Sequence, residues 1–340
     1  MSGGVLGLHH VTAVARDPQR NVDFYTDVLG LRIVKRTVNF DEPETYHLYY
    51  GDAEGHPGTL VTFFPWPHAG AGRVGPGQVV AIGLALMPQA LGYWRDRLFA
   101  HRVTYQAITG RFKDEGIAFT DPDGLPLELI ASSTADPART WTRGPVPPDY
   151  AIHGLHSVTA WVQRPDALVR VLKDTLGFKA VGESKDRLRF AAGGEGGGQT
   201  GAFVDVRTAA APARGVSGTG TVHHIAFRVT DDAAQLDARP ALVSAGLRPT
   251  PVIDRQYFRS IYFHEPGGVL CELATDAPGF LINESFETLG QRLELPPQFE
   301  PSRPAIEATL PPITVPVPAA PGPRPRSIAE DAQIQRGSGF

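Results

Sequence analysis

The sequence predicts an α+β protein of four βαβββ modules, because its landmark segments come back in order. Leu8-His9-His10-Val11-Thr12-Ala13 returns as Leu155-His156-Ser157-Val158-Thr159-Ala160. Asp27-Val28-Leu29-Gly30-Leu31-Arg32 returns at the same offset as Asp174-Thr175-Leu176-Gly177-Phe178-Lys179. Pro122-Asp123-Gly124-Leu125-Pro126-Leu127-Glu128-Leu129 returns as Pro266-Gly267-Gly268-Val269-Leu270-Cys271-Glu272-Leu273. Three correspondences in one order mark a duplicated half-chain.

Each half divides again. An apolar strand opens each quarter, over 8–15, 79–86, 155–162 and 222–229, and a helical segment follows, over 18–29, 88–101, 166–176 and 231–246. Val22, Tyr25, Val28 and Leu29 recur at helical spacing in the first of these. Gly30, Gly177 and Gly246 supply helix stops. Three short strands then complete a unit, as in Leu31–Val38, Thr45–Gly51 and Thr59–Phe64. The modules group as an N-terminal pair over 5–135, a Pro-rich linker over 136–151 and a C-terminal pair over 152–280. An extension over 281–340 turns to proline after Phe299, and its composition predicts an extended, partly disordered tail without chemistry. Gly193-Gly194-Glu195-Gly196-Gly197-Gly198 has no GK[ST] behind it, so a long hairpin turn is expected there rather than a phosphate loop.

A hydrophobic fraction of 42% and a charged fraction of 20% are those of a soluble globular chain able to bury a sizeable core. A net charge of -4 argues against a nucleic-acid or anionic-membrane partner. The single cysteine, Cys271, precludes an internal disulfide and fits a reducing compartment. No basic region followed by an apolar run opens the chain, and no apolar stretch is long enough to span a bilayer, so a cytoplasmic protein is expected.

Strand parity decides between the histidines. Side chains alternate faces, so His10 shares a face with Thr12 and Val14, while His9 shares the other with Val11, Ala13 and Ala15. In the fourth module Ile225, Phe227 and Val229 oppose His224, Ala226 and Arg228. The uniformly apolar face should pack on helices and the mixed face should line a cavity. A lone histidine is more often a satisfied core residue than a ligand. That reading fits His9, His156 and His223, at the head of the apolar face. His10 and His224 differ, because they occupy one repeat-equivalent position on the mixed face. The third module offers Ser157 there, and Val79-Val80-Ala81-Ile82-Gly83-Leu84 of the second offers no histidine.

Glu272 lies in Val269-Leu270-Cys271-Glu272-Leu273-Ala274 and must meet a cation or strong donors once buried. Glu128 poses the same problem without the histidine pair and reads as a remnant; Cys271 points away and reads as a small core residue. Two histidines and one carboxylate from three segments make a facial ligand set with open positions, the set that suits oxygen-activating iron(II). Arg255, Tyr257, Arg259 and Tyr262 precede Glu272 on a hairpin. An odd loop around Glu265-Pro266-Gly267-Gly268 would bring Tyr262 opposite Glu272.

The four units, the HHxT opening and the PGGxxxE close resemble the vicinal-oxygen-chelate superfamily. Within it the chain is similar to hydroquinone-type ring-cleaving dioxygenases such as the dichlorohydroquinone dioxygenases. The likeness covers roughly residues 5–300 and includes Val34-Lys35-Arg36-Thr37, Tyr46-His47-Leu48-Tyr49-Tyr50, Pro57-Gly58-Thr59, Tyr257-Phe258 and Leu295-Pro296-Pro297-Gln298-Phe299. It implies modules paired into two half-barrel sheets, and iron(II) or manganese(II) on His10, His224 and Glu272. It also implies substrate-contacting or ligand-supporting roles for His9, Thr12, His223, Arg255 and Tyr262.

The activity to expect is cleavage of a hydroquinone or related aromatic diol by O2, with Tyr262 and a histidine moving protons and Arg255 stabilising an oxyanion. A metal-dependent glyoxalase or isomerase needs a fourth protein ligand, and a metal-free small-molecule-binding protein needs none; these are the alternatives. Exposed strand edges make a homo-oligomer the expected assembly.

Overall fold

The computed structural model describes residues 4–133, 139–193, 201–210 and 213–319. Residues 194–198 of the expected glycine hairpin, 136–138 of the linker and 320–340 of the tail lie outside that set. The first module runs β1 (Leu8–Ala15), α1 (Pro18–Asp23), β2 (Arg32–Asn39), β3 (Glu42–Gly51) and β4 (Leu60–Pro65). The second is β5 (Gln78–Leu86), α2 (Leu91–Ala100), β6 (Tyr105–Arg111), β7 (Asp114–Thr120) and β8 (Pro126–Ala131). The third is β9 (Ile152–Trp161), α3 (Pro165–Arg170), β10 (Lys179–Ser184), β11 (Arg187–Ala191) and β12 (Phe203–Arg207). The fourth is β13 (Val222–Val229), α4 (Asp232–Ser244), β14 (Ile253–Asp254), β15 (Arg259–His264) and β16 (Leu270–Thr275).

Local chemistry sets these bounds. Asp17 and Asp231 cap α1 and α4 by accepting from the N–H groups of Arg20 and Ala234. Gly30 ends the first helical segment at a φ of 70°, a conformation that side chains disfavour, and a Cβ there would strike Val146. The expected helices over 18–29 and 166–176 are each shorter α-helices that widen into a π-turn, Phe24–Val28 and Val171–Thr175. The same irregularity at equivalent places is what a duplication leaves behind.

The modules form two eight-stranded half-barrel sheets, ordered β14-β15-β16-β13-β1-β4-β3-β2 and β10-β11-β12-β9-β5-β8-β7-β6. Modules are consecutive in sequence but not in the sheets. Antiparallel pairing of β1 with β13 joins the first module to the fourth, and β5 with β9 joins the second to the third. The apolar faces of both sheets build one core that includes Val11, Ile82, Val158 and Ile225. Phe227 of β13 lies edge-on to Phe178 of the third module at 5.6 Å, and its full burial contributes roughly 1.5–3 kcal/mol. Among the described residues no helix is long and apolar enough to cross a membrane.

The described part of the extension is docked rather than loose. A short helix, α5 (Arg303–Thr309), buries Ile306, and the proline-rich run after it is pinned by side chains. Tyr46 donates to the Pro311 carbonyl, Gln19 exchanges two hydrogen bonds with Thr314, and Arg143 donates to the Ala319 carbonyl. Composition hid this, because prolines leave the backbone few donors and the contacts come from residues far away in sequence. Nearer the sheet, Lys35 of β2 donates to Glu284 at 2.5 Å and to Asn283 at 2.8 Å, with both charged side chains fully buried. Removing one partner of such a pair strands a buried charge. Lys35→Ala should therefore cost about 3–5 kcal/mol in urea unfolding, and the Lys35→Met, Glu284→Gln double variant should cost clearly less than the sum of its parts.

Candidate metal centre

The seam between β1 and β13 gathers the three predicted ligands. Glu272 of β16 stands beside Ala226 of β13, and Ala226 stands beside His10 of β1. The small Ala226 between them leaves room over the sheet. His224 is paired two residues along, on the same face, with Thr12. His224 Nε2 lies 3.0 Å and His10 Nε2 3.4 Å from Glu272 Oε2, and the two Nε2 atoms are 3.2 Å apart. All three side chains are buried, and among the described residues this is the one cluster of three or more His, Cys, Asp or Glu groups with metal-ligand spacing.

Hydrogen-bond accounting shows which nitrogens are free. His9 Nε2 lies 3.2 Å from the Thr275 carbonyl, which can only accept, so Nε2 carries the His9 proton. Burial and the neighbouring His10 hold the His9 pKa well below its ordinary value, so the ring stays neutral. His9 Nδ1 is then an acceptor, and the N–H at 2.9 Å belongs to His10 Nδ1. His10 Nε2 is left with its lone pair pointing at Glu272 and His224. His223 makes the same contact with His224, Nδ1 to Nδ1, at 2.8 Å. Ser260 donates to Glu272 Oε1 at 2.5 Å, whereas Oε2 accepts no hydrogen bond of good geometry. Two imidazole nitrogens and a carboxylate oxygen converging on one buried point have the donor set and spacing that a divalent cation takes.

Strand parity brought His10 and His224 to one face, where they meet Glu272, and misplaced their neighbours. His9 and His223 were expected on the apolar face. The β1–β13 register slips between Leu8 and His10 and again between His224 and Val222, so each histidine is the extra residue of a bulge. A bulge breaks the alternation and re-aims the side chain, and both rings turn to the ligand histidines. Thr12 does not reach the cavity: it is fully buried and bonded to Thr62 at 2.8 Å. Tyr262 does stand opposite Glu272, across an odd-numbered loop, with its ring edge-on to His224 at 5.7 Å. Arg255 Nε donates to the Tyr262 hydroxyl at 3.3 Å and is anchored by Asp41 at 3.0 Å.

The ligands open onto a cavity of about 300 Å³ walled largely by Phe40, Phe64, Trp66 and Phe258. An apolar space of about 150 Å³ accommodates benzene, so this one holds a single substituted ring. His47, Tyr49 and Asp41 also line it, and the sequence assigned them no role. Parity along Tyr46-His47-Leu48-Tyr49-Tyr50 offered a signal, since His47 and Tyr49 alternate with the core residues Leu48 and Tyr50.

The sister sheet treats its equivalent glutamate differently. Gly83 and Ser157 stand at the seam, and Glu128 accepts a bidentate pair of hydrogen bonds from Arg111 at 2.8 and 2.6 Å. His156 keeps the bulge and donates to or accepts from Ser157 at 3.0 Å. Glu128 thus has its charge met by a guanidinium instead of by a histidine pair.

With the fold and the site in view, the chain belongs to the Glyoxalase/Bleomycin resistance protein/Dioxygenase superfamily, whose family model matches residues 7–129 and 154–273. The protein named "Putative ring-cleaving dioxygenase MhqO" of Bacillus subtilis (strain 168) is 44% identical over 93% of this chain and 99% of its own. The "Chlorohydroquinone/hydroquinone 1,2-dioxygenase" of Sphingobium indicum is 36% identical over 87% of this chain and 93% of its own. A crystal structure described as a "putative dioxygenase from Bacillus subtilis subsp. subtilis str. 168" superposes with a TM-score of 0.87 at 44% identity, covering 93% of this chain and 99% of that one. Glyoxalase I from Zea mays shares the fold at a TM-score of 0.57 and 14% identity, covering 79% of this chain and 92% of its own.

Two outcomes test the centre. His10→Ala, His224→Ala and Glu272→Gln should each abolish uptake of iron(II) under anaerobic loading, read by elemental analysis, whereas Glu128→Gln should leave it intact. His156 supplies a pH test away from the cluster. Burial lowers its pKa to about 4, against about 6.5 unfolded. Between those values the unfolded chain binds a proton that the folded one refuses, so stability falls as pH drops through the window. His156→Asn should shrink the loss of metal-free stability between pH 6.5 and 5 by about 1–2 kcal/mol, measured in urea.

Proposed function

We propose that this protein is a ring-cleaving dioxygenase that opens a hydroquinone or related aromatic diol with O2, at iron(II) or manganese(II) held by His10, His224 and Glu272. The observation that carries the reading is the convergence of three buried acceptor atoms, all within 4.8 Å of one another, at the wall of an aromatic cavity sized for one ring. The names of the relatives agree with it. Three ligands among the described residues, rather than four, favour it over the isomerase alternative. When bound, the metal supplies Lewis acidity to a phenol oxygen and a place for O2 beside it.

The chain's own residues do the rest. His9, anchored on the Thr275 carbonyl, fixes the His10 ring through Nδ1, and His223 meets His224 Nδ1 to Nδ1. Phe258 and Trp66 shield the ring from bulk water and confine it beside the ligands. Burial and Glu272 raise the Tyr262 pKa, so its phenol stays protonated. Arg255 donates to the Tyr262 oxygen, leaving the phenol hydrogen free for an oxygen of the ligand. Arg255 itself carries a positive charge to offset an oxyanion, and Asp41 holds it in position. His223 is open to the cavity and is placed to exchange a proton there.

Anaerobic loading with iron(II), followed by hydroquinones and catechols under O2, should give oxygen uptake and a ring-opened product containing both oxygen atoms. A protein that binds metal yet consumes no oxygen with any such compound would overturn the reading. Tyr262→Phe should lower kcat by roughly 10²-fold or more while metal content stays unchanged, the loss typical of a missing proton donor.

A further inference from the structure

One polar chain in the cavity wall has no part in the reaction just described. Thr12 Oγ1 lies 2.8 Å from Thr62 Oγ1, Thr62 Oγ1 lies 2.9 Å from His47 Nε2, and His47 Nδ1 lies 2.8 Å from the Tyr49 hydroxyl. The register of β1, β4 and β3 sets Thr12, Thr62 and Tyr49 in one row across the sheet. His47 sits two residues along β3 on the same face and bridges Thr62 to Tyr49.

Counting hydrogens gives the chain a direction. Each hydroxyl has one hydrogen to donate, and a neutral imidazole has one N–H and one bare nitrogen. Among the described residues, Thr12 Oγ1 is bonded to Thr62 alone, and the Tyr49 hydroxyl to His47 alone. Suppose Tyr49 donated to His47. His47 would donate to Thr62, Thr62 to Thr12, and the Thr12 hydrogen would end without an acceptor at a fully buried position. In the reverse direction Thr12 donates to Thr62, Thr62 to His47 Nε2, and His47 Nδ1–H to the Tyr49 oxygen. The hydrogen left over is then the Tyr49 phenol hydrogen, on a residue that lines the cavity, where a ligand oxygen or water can accept it. A buried donor without a partner is costly, so the second direction prevails.

Position decides which oxygen of a ligand Tyr49 meets. Tyr262 and His223 stand next to His224, with ring centroids at 5.7 and 5.1 Å. Tyr49 makes no ring contact with His10 or His224 among the described residues; Phe258 touches both sides, 5.1 Å from His10 and 6.5 Å from Tyr49, and Tyr49 stands on β3, two strands beyond β1. The two oxygens of a hydroquinone occupy opposite ends of its ring. We propose that Tyr49, oriented by His47 and Thr62, donates a hydrogen bond to the hydroquinone oxygen remote from the metal ligands and so selects hydroquinones over monophenols. This rests on the ring-diol reading above. Tyr49 is then a specificity-determining residue, and His47 and Thr62 are positioning residues.

The test uses the full chain loaded with zinc(II), which is redox-silent, and anaerobic calorimetry with hydroquinone and with phenol. Tyr49→Phe should weaken hydroquinone binding roughly five- to tenfold, the loss of one hydrogen bond, and leave phenol binding unchanged. In the wild type, nitrogen NMR should find His47 protonated at Nδ1. Equal weakening of both ligands, no weakening of either, or a His47 bare at Nδ1 would each overturn the assignment. A wild type that binds neither ligand would overturn the ring-diol reading and this inference with it, whereas normal binding with an indifferent Tyr49→Phe removes the Tyr49 role alone. Should Tyr49→Phe not fold, Thr62→Val carries the test. It keeps the phenol but releases His47 Nε2, and should lower the preference for hydroquinone over phenol about two- to threefold; an unchanged preference would overturn the proposal.

Discussion

A buried carboxylate with an unsatisfied oxygen is the constraint on which this structure turns. Glu272 Oε2 faces the Nε2 atoms of His10 and His224, has no hydrogen bond of good geometry, and the His10 proton is committed to His9. Burying a charge in that state is costly unless a cation completes the group. Glu128 shows the other solution to the same problem, a guanidinium laid across both carboxylate oxygens. The two repeat-equivalent glutamates thus differ in company: one faces a pair of imidazoles and the other a guanidinium.

The site also depends on which strands meet. His10 opens the first module, whereas His224 and Glu272 belong to the fourth. Only the β1–β13 seam brings them face to face, and it does so about a local two-fold relation that repeats the bulge on either side. Each bulge turns a second histidine toward the first, so the support for the ligands is built into the same irregularity that breaks the ladder. The adjacent strands β4 and β3 carry the polar row from Thr12 to Tyr49 outward from that seam.

Much of this was legible in the residues alone. The repeat exposed the modules, and period-two alternation picked His10 and His224 out of five histidines in similar settings. Alternation failed at His9 and His223 because a one-residue slip in pairing leaves no trace in a single strand's pattern. Thr12 sat on the correct face, yet its hydroxyl was already engaged by Thr62, a partner from another strand. His47 and Tyr49 went unassigned for the same reason: a row across a sheet is visible only once register is known. The extension's docking rests on pairs such as Lys35 with Glu284, which no local pattern joins.

The cross-pairing of modules has a consequence for the life of the chain. As the polypeptide emerges from the ribosome, β1 must wait for β13, more than two hundred residues behind it, before its inner edge is covered. During that interval an apolar strand with open hydrogen-bonding groups is available to wrong partners. No incomplete chain can gather the cluster, since two of its three members, His224 and Glu272, lie in the last module. Assembly of the three side chains is therefore a late event in biogenesis, complete only when the whole circuit of the fold has closed.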